Sequence, residues 1–339
     1  MINPIRLPAE WEPQRAVQLT FPHQGTDWSD MMEAVLPCFV EIAMNISRFQ
    51  RVLIVCTDEA ATRALFPSVE NLVFATCPSN DTWARDHGAI TVLENGKPKL
   101  LDFVFNGWGL KFPADKDNLI TRRLHSKGIF GKTPIQHGGM VLEGGGIESN
   151  GKGCLMTTTS CMLSPNRNPH MSQQQTEDKL RQLFGVSQIL WLQHGYLAGD
   201  DTDSHIDTLA RFCDEATIAY ASCQDIHDEH YAELKLMEAE LQSFRQANGQ
   251  PFRLVPLPMP DACLADDGHR LPATYANFLV INGAVLVPVY GVAQDEEALA
   301  VFNHLFPNRE IIGINCRSLI EQHGSLHCVT MQFIEPIPI

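Results

Sequence analysis

An α/β fold is predicted by three observations. Short β-branched runs alternate with amphipathic stretches of helical length over the whole chain, which excludes an all-α or all-β architecture. The composition, 44% hydrophobic and 19% charged, is that of a globular chain with a sizeable core. No Ser/Gly linker, acidic tail or low-complexity tract divides the 339 residues, so one domain spanning 1–339 is expected.

Each element has its own signal. "DMMEAVLPCFVEIAMNISRF" carries apolar residues at helical spacing and is followed by the strand "RVLIVCT" at 51. Strands follow at 90 ("ITVLE") and 100 ("LLDFVF"), then a helix at 176 ("TEDKLRQLF") and a strand at 218 ("IAYASC"). "DEHYAELKLMEAELQSFRQANG" predicts a long helix with Gly249 just past its end. The Pro-rich segment over 256–272 is long enough to form a rim or lid. "NFLVINGAVLVPVYG" at 277 reads as strand, "DEEALAVFNHLF" as helix and "REIIGINC" at 309 as strand. Units of a few strands and one helix recur at roughly 50 to 70 residues, a hint of repeat architecture.

A net charge of −15 repels phosphate backbones, so nucleic acid is not an expected partner. The N-terminal stretch lacks the features of a signal peptide and no apolar run reaches membrane-spanning length, which reads as a cytoplasmic protein with no membrane partner. Ten scattered cysteines without paired spacing suit a reducing compartment, with nine of them serving as small apolar residues.

Four clusters carry the chemistry. In "DTWARDHGAI", Trp83, Arg85 and Asp86 precede a strand, and an isolated Arg-Asp pair of this kind is usually a local ion pair. Trp108, between Gly107 and Gly109 in "FNGWGLKF", suits either a pocket wall or a core position. "VLEGGG" sets three glycines after Glu143, which permits positive φ or a close approach; no Lys-Ser/Thr follows, so it is not a phosphate loop. "GDDTDSHIDTLARF" packs Asp200, Asp201, Asp203, His205 and Asp207 together, a crowd that calls for a metal or a cationic substrate. If that run is a strand, His205 and Asp207 share a face. His227 and His230 open a helix and are better explained by capping. Cys328, in "EQHGSLHCVTMQ", needs an imidazole to become a nucleophile; His205 is the best candidate, because the adjacent His327 points to the opposite face of a strand.

Assembled, these residues resemble the agmatine deiminase family, within the guanidine-modifying superfamily that includes arginine deiminases and bacterial-type peptidylarginine deiminases. "WARD" at 83, "FNGWG" at 105, "LEGGG" at 142, "SPNRNP" at 164, "DDTDSHID" at 200, "YANFLVING" at 275, "FPNREIIGI" at 306 and "HCVT" at 327 occur in the family's order over nearly the full length. The resemblance implies a pseudo-fivefold, pentein-like α/β propeller of ββαβ units around a central site. It implies that Asp86 and Asp207 grip a guanidinium, Cys328 attacks its carbon, and His205, oriented by Glu143, handles the protons. Asp201 and Trp83 would line the substrate site, with Trp108 as a wall. No cofactor and no metal is implied, the partner is a small cationic guanidine, and homo-oligomers occur widely in the family.

The chain departs from the family pattern at "QHGSLHC" before the nucleophile, at Ser204 and at Thr159, positions that bear on substrate identity more than on reaction class. Free or peptide-terminal arginine therefore stands beside agmatine as a substrate. Outside the family reading stand a metal-dependent hydrolase using the cluster at 200–207 and a polyamine-binding protein.

Overall fold

Five small sheets share one plan, in which two antiparallel strands are followed by a helix and a third strand lying parallel to the middle one. The structure, a computed structural model, describes residues 5–339. A parallel return needs a crossover, and the helices Ile120–Ser126, Gln173–Phe184, Tyr231–Ser243 and Gln294–Leu305 supply it in the second to fifth sheets. The middle strands of these sheets are Lys97–Val104, Cys154–Thr158, Thr217–Ala221 and Ala284–Val289. The recurrence visible in the sequence is this unit.

The first sheet takes its opening strand from the other end of the chain. Thr330–Ile334 pairs antiparallel with Gln14–Thr20, which continues through the helix Met32–Ser47 to the parallel strands Arg51–Cys56 and Leu72–Thr76. Val52, Leu53, Ile54 and Val55 are all fully buried, which is why that strand reads as an unbroken apolar run. Val35, Phe39, Ile42 and Ile46 form the buried stripe of the covering helix.

Local chemistry sets the boundaries. Asn95 and Gly96, at φ 52° and 76°, make the tight turn between Ile90–Glu94 and Lys97–Val104. Ser172 and Gln175 form a capping box on Gln173–Phe184, and Gly185 ends that helix at φ 69°.

Several sequence expectations are corrected. "NFLVINGAVLVPVYG" is a hairpin of Leu279–Ile281 and Ala284–Val289, turned at Gly283 with φ 75°. The long helix stops at Ser243, because Phe244 is extended and Arg245 bonds the carbonyls of Gln242 and Phe244; Gly249 serves a separate turn. Residues 205–208 are not strand. Thr202 Oγ1 accepts from the His205 N–H and Thr208 Oγ1 donates to the His205 carbonyl, so side chains take the bonds a ladder would use and the strand begins at Ala210. His230 makes no side-chain cap; its ring accepts from Ala198 N and pairs with Asp228. No helix among the described residues is long and apolar enough to cross a membrane.

The returning strand depends on Phe333, fully buried with its ring 5.1 Å from Phe130. Phe333→Ala is expected to destabilise the protein by about 3–5 kcal/mol, read from urea unfolding midpoints at constant m-value.

Candidate active site

Because the chain returns to its first sheet, residues 325–329 run through the interior rather than along an edge. Cys328 is 5% exposed; its thiol lies 3.4 Å from Asn277 Oδ1 and 4.0 Å from Asp207 Oδ2. Asn277 also accepts from the His327 and Cys328 N–H groups, at 2.8 and 3.3 Å, and so holds the turn beneath the sulfur. Gly324 is there for space, since a Cβ would stand 2.1 Å from the Trp83 ring.

Two carboxylates face the sulfur's surroundings. Asp86 sits on the short helix Ala84–His87 and accepts from Trp108 Nε1 at 2.9 Å and from Gly145 N at 3.0 Å. Trp108 can donate because the turn runs through positive φ at Gly107, Trp108 and Gly109, pinned by the Asn106 side chain on Gly109 N. Asp207 Oδ2 accepts from His327 Nδ1 at 2.7 Å, whereas its Oδ1 is buried with no partner. The triple glycine is explained by close approach. A Cβ on Gly145 would lie 2.6 Å from His205 Nδ1, 2.9 Å from Asp86 Oδ1 and 3.1 Å from Asp207 Oδ1, so these groups converge on one backbone atom. His205 and Asp207 thus meet without the strand alternation expected of them.

Glu143 does not hydrogen-bond His205. Both its oxygens accept from Arg167 Nε, at 2.9 and 3.0 Å, and a carboxylate oxygen, His205 and Cys161 lie within 4.8 Å of one another. The His205 Nδ1 is 3.6 Å from Asp86 Oδ1, and its Nε2 is buried without a partner.

The electrostatics define a resting state. Burial, with Asp207 and Asp86 nearby, pushes the Cys328 thiol well above its usual range. Burial and the Asp207 charge likewise raise Asp86 far above the carboxylate range. Burial lowers His205 to about 3, against the pull of Asp207. Asp207 keeps its charge: burial works against it, but the His327 hydrogen bond holds its pKa below the usual value. Thiol and imidazole are therefore neutral beside one ionised carboxylate, a site with room for a cation.

Sequence reasoning missed the support beneath Asp207. His327 bridges Asp207 and Glu10, with Nε2 2.6 Å from Glu10 Oε2. Glu10 also pairs with Arg85 at 3.4 Å and Arg211 at 3.1 Å, and Arg211 with Glu148 at 2.8 Å. Arg85 thus pairs with Glu10 and not with its neighbour Asp86. A cavity of about 560 Å³ beyond this network touches Glu10, Arg85 and Glu148 but not Cys328. Glu10 gave no local signal in the sequence.

The sulfur opens instead on a cavity of about 540 Å³. Trp83, Trp108 and Phe112 provide its aromatic wall, and Asp27, Asp81, Asp86 and Asp201 its acids. No Arg or Lys lines it. Asp81 fixes the indoles of Trp28 and Trp83, accepting at 2.9 and 3.2 Å. Burial and the neighbouring Asp27 raise Asp81 to about 7, and burial raises Asp201 to about 6 against His323. His323 lines the rim and stacks on His269 from the segment 256–272. That segment is tied down by Gln294 on Asp261 and Arg317 on the Leu264 carbonyl.

The acidic cluster itself is dispersed. Asp200 caps Thr202 and Ser204, and Asp203 pairs with Lys111 and Arg167, so only Asp201 and Asp207 reach the cavity or the sulfur. Arg167 and Arg211 are both consumed in buried ion pairs.

The five-sheet arrangement around this site is a fold found in other enzymes. DDAH from Pseudomonas aeruginosa and an amidinotransferase from Microseira wollei share it at 10% identity, with TM-scores of 0.50 and 0.52. The particular family is narrower: residues 6–333 match the model of the Porphyromonas-type peptidyl-arginine deiminases, and the chain belongs to that family. A structure from Porphyromonas gingivalis, assigned provisionally as an arginine deiminase, is 53% identical with a TM-score of 0.94, covering 98% of each chain. Agmatine deiminase of C. jejuni, solved with substrate bound, is 40% identical with a TM-score of 0.92, over 98% of this chain and 96% of that one. Agmatine deiminase of Stutzerimonas stutzeri is 31% identical over 98% of this chain and 95% of its own length.

Gly145→Ala is expected to lower kcat on a guanidine substrate by ~10²-fold or more, since the new methyl displaces His205 and both aspartates. Steady-state kinetics beside an unchanged circular dichroism spectrum check it.

Proposed function

We propose that the protein hydrolytically deiminates a guanidino compound, most plainly agmatine, to N-carbamoylputrescine and ammonia through a thiouronium on Cys328. The observation that carries this reading is Asp207 Oδ1, a buried carboxylate oxygen with no partner, set beside Asp86 near the sulfur. A planar guanidinium is the ligand that satisfies two such acids at once.

The chemistry follows from the electrostatics. A cation between Asp86 and Asp207 favours the ionised forms of Asp86 and Cys328; the Asp86 proton leaves to solvent as the cation enters, and the Cys328 proton passes to the His205 imidazole. The thiolate attacks the central carbon and forms a C–S bond. His205 then protonates the departing nitrogen, the C–N bond breaks and ammonia leaves. Water, deprotonated by His205, adds to the thiouronium carbon; the C–S bond breaks and the ureido product leaves with the thiol restored. Glu143, whose pKa burial raises and Arg167 pulls back, stands beside the imidazole to offset its charge while it carries its proton.

Agmatine is favoured over arginine by the walls of the cavity. Asp27, Asp81 and Asp201 would repel an α-carboxylate, and no arginine or lysine lines the cavity to receive one. The aromatic faces of Trp83 and Phe112 suit an alkyl chain. The finer architecture belongs to the same proposal: five sheets around a pseudo-fivefold axis, a propeller serving as one catalytic unit over residues 1–339.

A ureido assay across agmatine, free arginine and blocked arginine peptides should show agmatine turnover, abolished in Cys328→Ser; turnover that survives the substitution would refute the covalent route. The thiol also makes a pH claim. Its folded pKa is raised, so the empty site is unreactive near neutrality, and the iodoacetamide inactivation profile of Cys328 should shift to lower pH when a guanidine ligand is present. An unchanged or higher inflection would remove substrate-assisted ionisation from the mechanism.

A further inference from the structure

Cys161 is a thiol that none of the steps above uses. It sits on the short helix Thr159–Met162, is 1% exposed, and lies with a Glu143 oxygen and a His205 ring nitrogen within 4.8 Å of one another. This is the one group of three potential metal ligands so gathered among the described residues.

A second observation points the same way. The His205 ring has two differently occupied sides: Nδ1 approaches Asp86, while Nε2 is buried with no hydrogen-bond partner. Gly146 leaves the space beside Nε2 clear. A Cβ there would stand 3.2 Å from Cys161 Sγ and 4.0 Å from His205 Nε2. Glu143 has capacity to spare, because one Arg167 N–H is shared between its two oxygens; one oxygen can turn away while the other keeps Arg167. Arg167 stays anchored on Asp203 and the Thr202 carbonyl.

We propose that Glu143, Cys161 and His205 form an inhibitory site for a zinc-type divalent cation, which captures the catalytic imidazole through Nε2 and leaves the nucleophile Cys328 free. Sulfur, nitrogen and carboxylate donors select a borderline-soft ion over calcium or magnesium. Tetrahedral zinc holds such donors roughly 3.3–3.8 Å apart, so side-chain adjustments of about an ångström close the site. On binding, the Cys161 S–H bond breaks, its proton passes to solvent and an S–Zn bond forms; no electrons are transferred. Once Nε2 is bound, the imidazole can neither accept nor deliver the protons that deimination requires.

Cobalt(II) serves as the probe. Added to chelator-treated intact protein and to Cys328→Ser, it should give intense tetrahedral visible bands and a near-ultraviolet thiolate band. Cys161→Ala and Cys161→Ser should lose the thiolate band and bind Co²⁺ at least tenfold more weakly, with circular dichroism reporting their fold. These bands require no turnover, so their failure and the failure of the deiminase reading are distinguishable. In the assay, Zn²⁺ should inhibit the intact enzyme reversibly with EDTA, and Cys161→Ser, at its own uninhibited rate, should need at least tenfold more Zn²⁺. Without any substitution, Zn²⁺ should not protect Cys328 from alkylation by iodoacetamide, measured by peptide mass spectrometry. A thiolate band that persists in the Cys161 variants, vanishes in Cys328→Ser or never forms would overturn the proposal, as would zinc protection of Cys328.

Discussion

The structure depends on a buried line of three side chains, Glu10, His327 and Asp207, drawn from the start, end and middle of the chain. The imidazole touches a carboxylate on each side, at 2.6 and 2.7 Å. Burying charge is costly unless every group is paired, and here Arg85 and Arg211 complete the balance. The line does two things. It locks three distant segments together, and it holds Asp207 ionised with one oxygen committed and the other free. Removing one member would leave the rest uncompensated in a medium of low dielectric.

The same logic separates the acids by task. Asp86 and Asp207 stand side by side, yet burial and mutual repulsion push the first toward its protonated form while His327 keeps the second charged. An empty site therefore carries less negative charge than its composition suggests, and burial with the nearby aspartates holds its thiol toward the neutral form. On the deiminase reading proposed above, a seated cation would complete the charge balance and ionise the thiol, which would confine reactivity to the bound state.

Much of this was legible in the sequence, for identifiable reasons. Alternating strand and helix runs gave the α/β class, because each unit buries its faces in the usual periodic way. The "LEGGG", "WARD" and "DDTDSHID" segments stood out because crowding around a small centre demands unusual residues: a glycine where a Cβ would collide with His205, and carboxylates gathered beside a buried thiol. What escaped notice has no local signature. Glu10 lies in an ordinary N-terminal stretch and Asn277 in an apolar run, and each acquires meaning only through partners far away in the chain. The pairing of Arg85 with Glu10, in preference to the adjacent Asp86, is likewise a product of tertiary burial, which overrides proximity along the backbone. The helix end at Ser243 was misplaced because Gly249 looks like a terminator, while Phe244 in fact breaks the helix earlier.

The pairing of Thr330–Ile334 with Gln14–Thr20 has a consequence for biosynthesis. Translation is vectorial, so the first sheet must wait with an open edge until the closing strand leaves the ribosome. Cys328 arrives with that strand, two residues ahead of it. A nascent or prematurely terminated polypeptide therefore lacks both the closing strand and the buried thiol that precedes it.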